Sequence, residues 1–289
     1  MRLPALPSRP DETDKSRMGR LVIVAGAHGM AGAAVLCASA ALRSGVGYVD
    51  VVCPGAITAD LAAAVPSALT HPCGDATKRR IDADDLAVIA AALTRATAVV
   101  VGPGLGDVVH DWLDGVLDAR RSAPLLLDAD ALNGLSRRPE LLARLGDSVV
   151  LTPHEGEAAR LLGTERESVH TDRTNALDSL VRRTGAVVVL KGARTLVGAP
   201  GDRSWQSPTG NAGLAKAGSG DVLSGLVGGL LARGMDPFDA AVAGVWIHGR
   251  AADVLAVTND VDTYIPSDLA TAFATAFGDY RREVQSIAP

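Results

Sequence analysis

Short aliphatic runs alternate with alanine-rich stretches along most of this chain. The runs Leu21–Ala25, Tyr48–Cys53, Ala98–Val101, Pro124–Asp128, Ser148–Leu151 and Val187–Lys191 are apolar almost throughout, not at every second position. Strands buried on both faces of a parallel sheet read that way. A seventh strand, Thr195–Val197, follows Gly192 closely enough to turn a hairpin with the sixth. Between the runs, the spacing predicts helices over Ala33–Ser44, Ala83–Thr94, Val108–Ala119, Glu155–Leu162 and Asp172–Thr184. After Val197 a loop rich in Gly, Pro and Ser leads into three helices at 221–233, 237–256 and 266–284. No internal repeat or linker divides the pattern. It predicts one three-layer α/β/α sandwich over residues 18–289, with a mostly parallel central sheet. Residues 1–17, Pro-rich and charged, are expected to form a disordered tail.

Composition narrows the function. The chain has 289 residues, 47% of them hydrophobic, and a formal net charge of −5. That length buries an ample core without disulfides. Three widely spaced cysteines without a CxxC fit buried thiols in a reducing compartment. No apolar run is long enough to span a membrane, and no signal-peptide core is visible, so a cytoplasmic enzyme is expected. The basic pairs are scattered and aromatics make up only 3%, which argues against a nucleic-acid surface.

Candidate chemistry sits where strands end. Gly26–Gly32 follows a strand and precedes a helix, as a dinucleotide loop does. Its spacing is GxxGxxG, however, and Asp50 stands mid-strand, so a plain strand–helix turn is the competing reading. Gly102-Pro103-Gly104-Leu105-Gly106 also follows a strand end, where parallel sheets bind ligands, or else simply turns the chain. In "LTPHEGE" His154 precedes a helix; alanine at 158 excludes HExxH. Lys191 with Gly192 is placed for a phosphate, though hairpin lysines are commonly solvated. In "LLLDADALNGL" Asp128 ends a strand, and capping is the simpler role for Asp130.

The stretch "GNAGLAKAGSGDVLSGLVGGLLARG", residues 210–234, is the most informative. It reads as a helix, yet each interior glycine costs about 1 kcal/mol relative to alanine. Gly218, Ser219 and Gly220 can aim successive amides into one concavity at the helix N-terminus, where the dipole favours an anion. Asp221 could merely cap the helix. A carboxylate beside an anion site repels phosphate unless it has a task, and accepting a proton from a hydroxyl that attacks phosphorus is such a task.

These motifs in order, with "GPGLG", "LDADALN", "VVLKGARTLV" and "WIHGRAAD", resemble the ADP/ATP-dependent NAD(P)H-hydrate dehydratases of the ribokinase-like superfamily, over roughly residues 18–285. The resemblance implies repair of the S form of hydrated NADH or NADPH by phosphorylation of its hydroxyl and loss of phosphate. It implies Asp221 as base, with Gly218, Ser219 and Gly220 as the anion hole. Lys191, Gly192, Ala193, Arg194, Thr195 and Gly220 would hold the nucleotide. Ala33, Gly104, His154 and Asn211, with Asp221, would contact the hydrate. ADP is the implied donor for a bacterial member, although no residue selects it over ATP. Mg2+ is implied by the nucleotide phosphates alone, since no His/Cys set has metal spacing. A homotetramer is implied, as is a separate epimerase, because only residues 1–17 precede the match.

Two departures from the family pattern stand out: Glu155 replaces an expected proline after the histidine, and Ala25-Gly26-Ala27 replaces Gly-Gly-Ser. Two rivals remain at this stage. A small-molecule kinase of the same fold would share the Gly218–Asp221 turn and release a stable phosphorylated product. A regulatory nucleotide-binding module built on Gly26–Gly32 would have no use for Asp221.

Overall fold

The computed structural model describes residues 2–106 and 112–286. Nine strands form one sheet: β1 Arg20–Val24, β2 Tyr48–Pro54, β3 Leu69–Cys73, β4 Ala98–Val101, β5 Leu125–Leu127, β6 Val149–Leu151, β7 Val187–Leu190, β8 Leu196–Ala199 and β9 Arg203–Gln206. Their spatial order is β3-β2-β1-β4-β5-β6-β7-β8-β9. Pairs from β3 to β7 are parallel, and β7-β8-β9 close the sheet as an antiparallel meander. The expected hairpin is therefore β7–β8. Two strands escaped the sequence pattern, β3 and β9, and both lie at the sheet edges. There one face meets water, so the continuous apolar run is lost, and Pro72 is tolerated.

Helices follow in order: α1 Ala31–Arg43, α2 Thr58–Ala64, α3 Leu86–Leu93, α4 Leu113–Ala119, α5 Asp130–Ser136 and α6 Glu155–Leu162. Then come α7 Arg166–Thr171, α8 Arg173–Thr184, α9 Ser219–Ala232, α10 Pro237–Ala256 and α11 Pro266–Ser286. The start of the helix expected from Val108, up to residue 111, lies outside the described residues. Alternation along β1 separates two core layers: Leu21 and Ile23 belong to the one that includes α1, α9, α10 and α11, whereas Val22 and Val24 belong to the one that includes α3, α4 and α6.

The glycines of α9 explain themselves by contact. A Cβ on Gly225 would stand 2.0 Å from the Cys37 carbonyl oxygen of α1, and one on Gly228 would stand 2.3 Å from Val100 of β4. Bare backbone lets α9 lie against both neighbours, which sets the height of its N-terminus over the sheet.

The N-terminal segment differs from the disorder expected of it. Leu3 is buried, Tyr280 donates its hydroxyl to the Pro4 carbonyl (2.7 Å), and Arg233 donates to the Pro7 carbonyl (2.9 Å). Partners far along the chain supply the apolar and hydrogen-bonding contacts that the segment cannot make alone. Asp50 is also resolved: it is buried mid-strand, paired with Arg20 and His71, and is framework.

Candidate active site

Because β1, β4, β5, β6 and β7 run the same way, the loops leaving their carboxyl ends gather along one sheet edge. Strand order reverses between β1 and β4, so the loops after those strands flank a crevice. The Gly26 amide donates to the Pro103 carbonyl (2.8 Å) and ties the two loops together. Gly104 has φ +62°, and a Cβ there would meet Ala33 Cβ at 2.8 Å and the Met30 carbonyl oxygen at 2.9 Å. The structure thus makes neighbours of Ala33 and Gly104, two residues expected to touch one ligand.

Asp130 is not the cap that the sequence suggested. Ala129 holds the N-cap position of α5 without a side-chain bond, and Asp130 reaches sideways to accept the Gly106 amide (2.8 Å). Its other oxygen accepts from Asn133 Nδ2 (3.3 Å), and Asn133 in turn accepts from Arg160 of α6 (3.0 Å). The glycine loop after β4 is therefore anchored to α5 and, through Asn133, to α6.

At the centre lies a buried charge cluster. Asp128, 1% exposed at the end of β5, accepts from Lys191 Nζ (2.7 Å) and from Ser224 Oγ of α9 (2.7 Å). Lys191 Nζ is also 3.8 Å from Glu157 Oε2. Burial alone would lower the Lys191 pKa, but Asp128 and Glu157 outweigh it and hold the ammonium above its ordinary value. Glu157 is raised by its own burial, with Asp128 adding to the effect and Lys191 opposing it.

His154 is the N-cap of α6. Its Nδ1 accepts from the amides of Gly156 (2.9 Å) and Glu157 (3.3 Å), while Glu157 Oε2 accepts from the His154 amide (2.8 Å). An accepting Nδ1 carries no proton, so the neutral ring holds its proton on Nε2, 3.5 Å from Glu157 Oε1. Its side chain is half exposed, yet partial desolvation, then the nearby Lys191 and Arg160, lower its pKa. Glu155 has turned away from this ring toward α7 and α8.

The N-terminus of α9 meets the cluster. Gly218 is its N-cap, with φ +100° and a hypothetical Cβ 2.7 Å from Leu36 Cδ1. The Ser219 amide donates back to the Lys216 carbonyl (3.2 Å). Gly220 and Asp221 follow at positions where a helix offers amides no internal acceptor. A Cβ on Gly220 would stand 3.2 Å from Lys191 Nζ, so the helix start and the Lys191 loop are brought together. His248 of α10 lies beneath Ser219, and burial, with Lys191 contributing, holds its imidazole neutral, with a pKa of about 4. Asp221 is pushed up to about 7 by burial first, then by Asp128, with Lys191 opposing. A carboxylate that titrates near neutrality is suited to general base work.

Asn211 is bound to its own loop, to Asp253 and to Tyr264. Its Nδ2 donates to Asp253 (3.0 Å), and its Oδ1 accepts from the Gly213 amide (3.0 Å) and the Tyr264 hydroxyl. The bond to Asp253 ties the 210–216 loop to α10. Gly192, Ala193 and Arg194 stand exposed beyond Lys191, and Thr195 bonds back to the Gly192 carbonyl (3.1 Å). Sequence reasoning assigned no role to Asp128, Glu157 or Ser224. An aspartate after three leucines at a strand end was the one available signal, and it was visible without a partner.

Comparison with known proteins decides the family. The NAD(P)H-hydrate dehydratase family model matches residues 21–274. The chain belongs to that family. It is 42% identical over 255 residues to an ADP-dependent (S)-NAD(P)H-hydrate dehydratase of Neisseria meningitidis serogroup B, covering 86% of this chain and 81% of that one. It is 42% identical over 267 residues to the bifunctional NAD(P)H-hydrate repair enzyme Nnr of Escherichia coli, covering 91% of this chain but 48% of that one. The chain thus spans about half the length of that bifunctional relative. A crystal structure of the Bacillus subtilis ADP/ATP-dependent NAD(P)H-hydrate dehydratase, co-crystallized with ATP/Mg2+, superposes with TM-score 0.81 at 29% identity, covering 95% of this chain and 94% of that one. The fold is the ribokinase-like α/β/α sandwich of that family, as the sequence led us to expect. Among the described residues, no helix is long and apolar enough to cross a membrane.

Proposed function

We propose that the chain restores NADH and NADPH from their S-form hydrates, with ADP as phosphoryl donor. The observation that carries this reading is Asp221, near neutral in pKa, in the first turn of α9 beside Lys191 and the uncapped amides. Asp221 accepts the proton of the hydrate hydroxyl as that oxygen attacks the terminal phosphorus of the donor. The bond to the bridging oxygen breaks, leaving AMP. The phosphorylated hydrate then expels phosphate, pushed by the ring nitrogen's lone pair, and loses a proton from the adjacent ring carbon. Hydroxide is a poor leaving group and phosphate a good one, so a kinase anion hole suffices for net dehydration.

Gly218, Ser219 and Gly220 form the anion-hole turn in this reading, with the amides of Gly220 and Asp221 directed at the phosphoryl oxygens. Lys191 to Thr195 and Gly220 hold the nucleotide. Ala33, Gly104 and His154 hold the hydrate, and Asn211 supports the loop beside them. Among the described residues no three His, Cys, Asp or Glu side chains could form a metal cage. Mg2+ needs none, since one or two carboxylates and the substrate phosphates commonly bind it. Glu157, buried and repelled by Asp128, is a suitable carboxylate. The ion would neutralise phosphate charge.

We further assign the protein to the cytoplasm, where three buried free thiols stay reduced, as a homotetramer working with a separate epimerase. Mixing the protein with hydrated NADH, Mg2+ and either ADP or ATP tests the function. Nucleotide-dependent recovery of reduced-nicotinamide absorbance is expected, faster with ADP. Nucleotide consumption without recovery would shift the assignment to the small-molecule kinase.

A further inference from the structure

The Lys191–Thr195 loop is held in a shape that its own residues do not favour. Gly192 has φ +149° and Arg194 has φ +54°, a left-handed conformation that is unfavourable for a side-chain-bearing residue. Gly192, Ala193 and Arg194 are exposed, so apolar burial does not hold them. Arg173, the first residue of α8, grips this loop from behind. Its Nη2 donates to the Leu190 carbonyl (3.0 Å) and its Nη1 to the Ala193 carbonyl. The guanidinium lies flat enough that a Cβ on Gly192 would stand 2.9 Å from Nη2. Glu155 faces the remaining side of Arg173, with Oε1 3.5 Å from Nε. The other Glu155 oxygen is 3.1 Å from His170 Nδ1 and 3.9 Å from Arg166 Nε. Glu155 is the residue after His154 and is itself mostly buried, with a side chain 15% exposed.

We propose that Arg173, oriented by Glu155, is a positioning residue that shapes the Lys191–Thr195 loop for a nucleotide and fixes it to the His154 turn. This rests on the assignment of that loop to the nucleotide in the proposed function. Arg173 acts through the loop: each terminal nitrogen donates to a loop carbonyl, and a carboxylate offsets its charge. The planar fork is what spans two carbonyls at once, which a lysine ammonium cannot do in the same geometry. Glu155, the unexpected residue after the histidine, thereby acquires a task.

The test is calorimetric binding of ADP with Mg2+, read beside steady-state kinetics, for Arg173→Lys, Glu155→Gln and the control Arg182→Gln. Arg182 is exposed on the same helix. Arg173→Lys is expected to weaken ADP about tenfold in Kd and KM, since it loses one charge-assisted hydrogen bond. At saturating ADP, kcat and the KM for hydrate should stay within about twofold. Glu155→Gln should act in the same direction by roughly threefold, and the double variant should be no weaker than Arg173→Lys alone. Arg182→Gln should leave every value unchanged. Should Arg173→Lys fail to fold, Glu155→Gln carries the test, because it leaves the arginine in place. Unchanged ADP affinity in the folded variants overturns the proposal, as does a fall in kcat with no change in affinity. Binding is read without turnover, so a wild type that binds ADP but recovers no NADH refutes the dehydratase reading and still scores the loop. A wild type that binds no ADP overturns both.

Discussion

The two sides of the site are built by different physics. On the crevice side, Gly26, Ala33, Gly104 and Gly106 are placed by backbone: an amide tied to Pro103, a positive φ, a carboxylate on an amide. On the reacting side, Asp128, Glu157, Asp221 and Lys191 crowd three carboxylates against one ammonium, and two of the carboxylates are raised in pKa. The first arrangement is one of shape. The second concentrates repulsion among carboxylates that protonation or a cation would relieve, so pH and charge substitutions should act there and steric substitutions on the crevice.

Asp221→Asn should break that contrast most sharply. Loss of a general base removes about 10²- to 10⁴-fold in kcat, while ADP binding should persist in calorimetry. The same change should stabilise the fold. The Asp221 pKa is about 7 in the folded protein against an ordinary 3.8, so the folded state bears the full cost of ionisation above pH 7 and none below pH 3.8. The variant's melting temperature should therefore exceed the wild type's by several degrees at pH 8, with the gain fading as pH falls from 7 toward 4. An equal melting temperature at pH 8 would refute the raised pKa.

Gly104→Ala is the matching steric test. Its Cβ would press on Ala33 and the Met30 carbonyl in a left-handed conformation costing about 1–3 kcal/mol. The KM for hydrate should rise about tenfold or more, with ADP affinity held within about twofold. A loss of ADP affinity instead would mean that the two sides are not separable.

Asp128→Asn should sharpen the electrostatic half. Removing a negative charge near Asp221, and freeing the Lys191 ammonium from its partner, both favour the ionised carboxylate. The acidic limb of kcat/KM, set near pH 7 by Asp221 in the free enzyme, should move to lower pH. A limb that stays in place, measured over the full pH range, would remove Asp128 from the cluster's electrostatics. The smallest expected effects are those of Glu155→Gln on ADP affinity.

The sequence announced some of this and concealed the rest for identifiable reasons. The core strands β1, β4, β5, β6 and β7 were visible because burial on both faces removes polar residues from them. Edge strands β3 and β9 carry exposed residues and read as loop. The turn at Gly218–Asp221 was legible as a helix start because glycine suits an N-cap of positive φ and an acid suits the first turn. Asp128 and Glu157 were not, because their meaning lies in Lys191, 63 residues from Asp128 along the chain. The bonds of Asn211 to Tyr264 and Asp253 were hidden as well, because those partners are distant in sequence. Residues 2–8 looked free because Tyr280 and Arg233, which hold them, are distant in sequence.

The central claim is that one site phosphorylates the hydrate and lets phosphate leave. Its most direct test is product accounting: AMP, inorganic phosphate and reduced nicotinamide measured together during turnover of hydrated NADH with ADP. The account predicts one AMP and one phosphate for each NADH regained. A stable phosphorylated product, or NADH regained with ADP left intact, would contradict it.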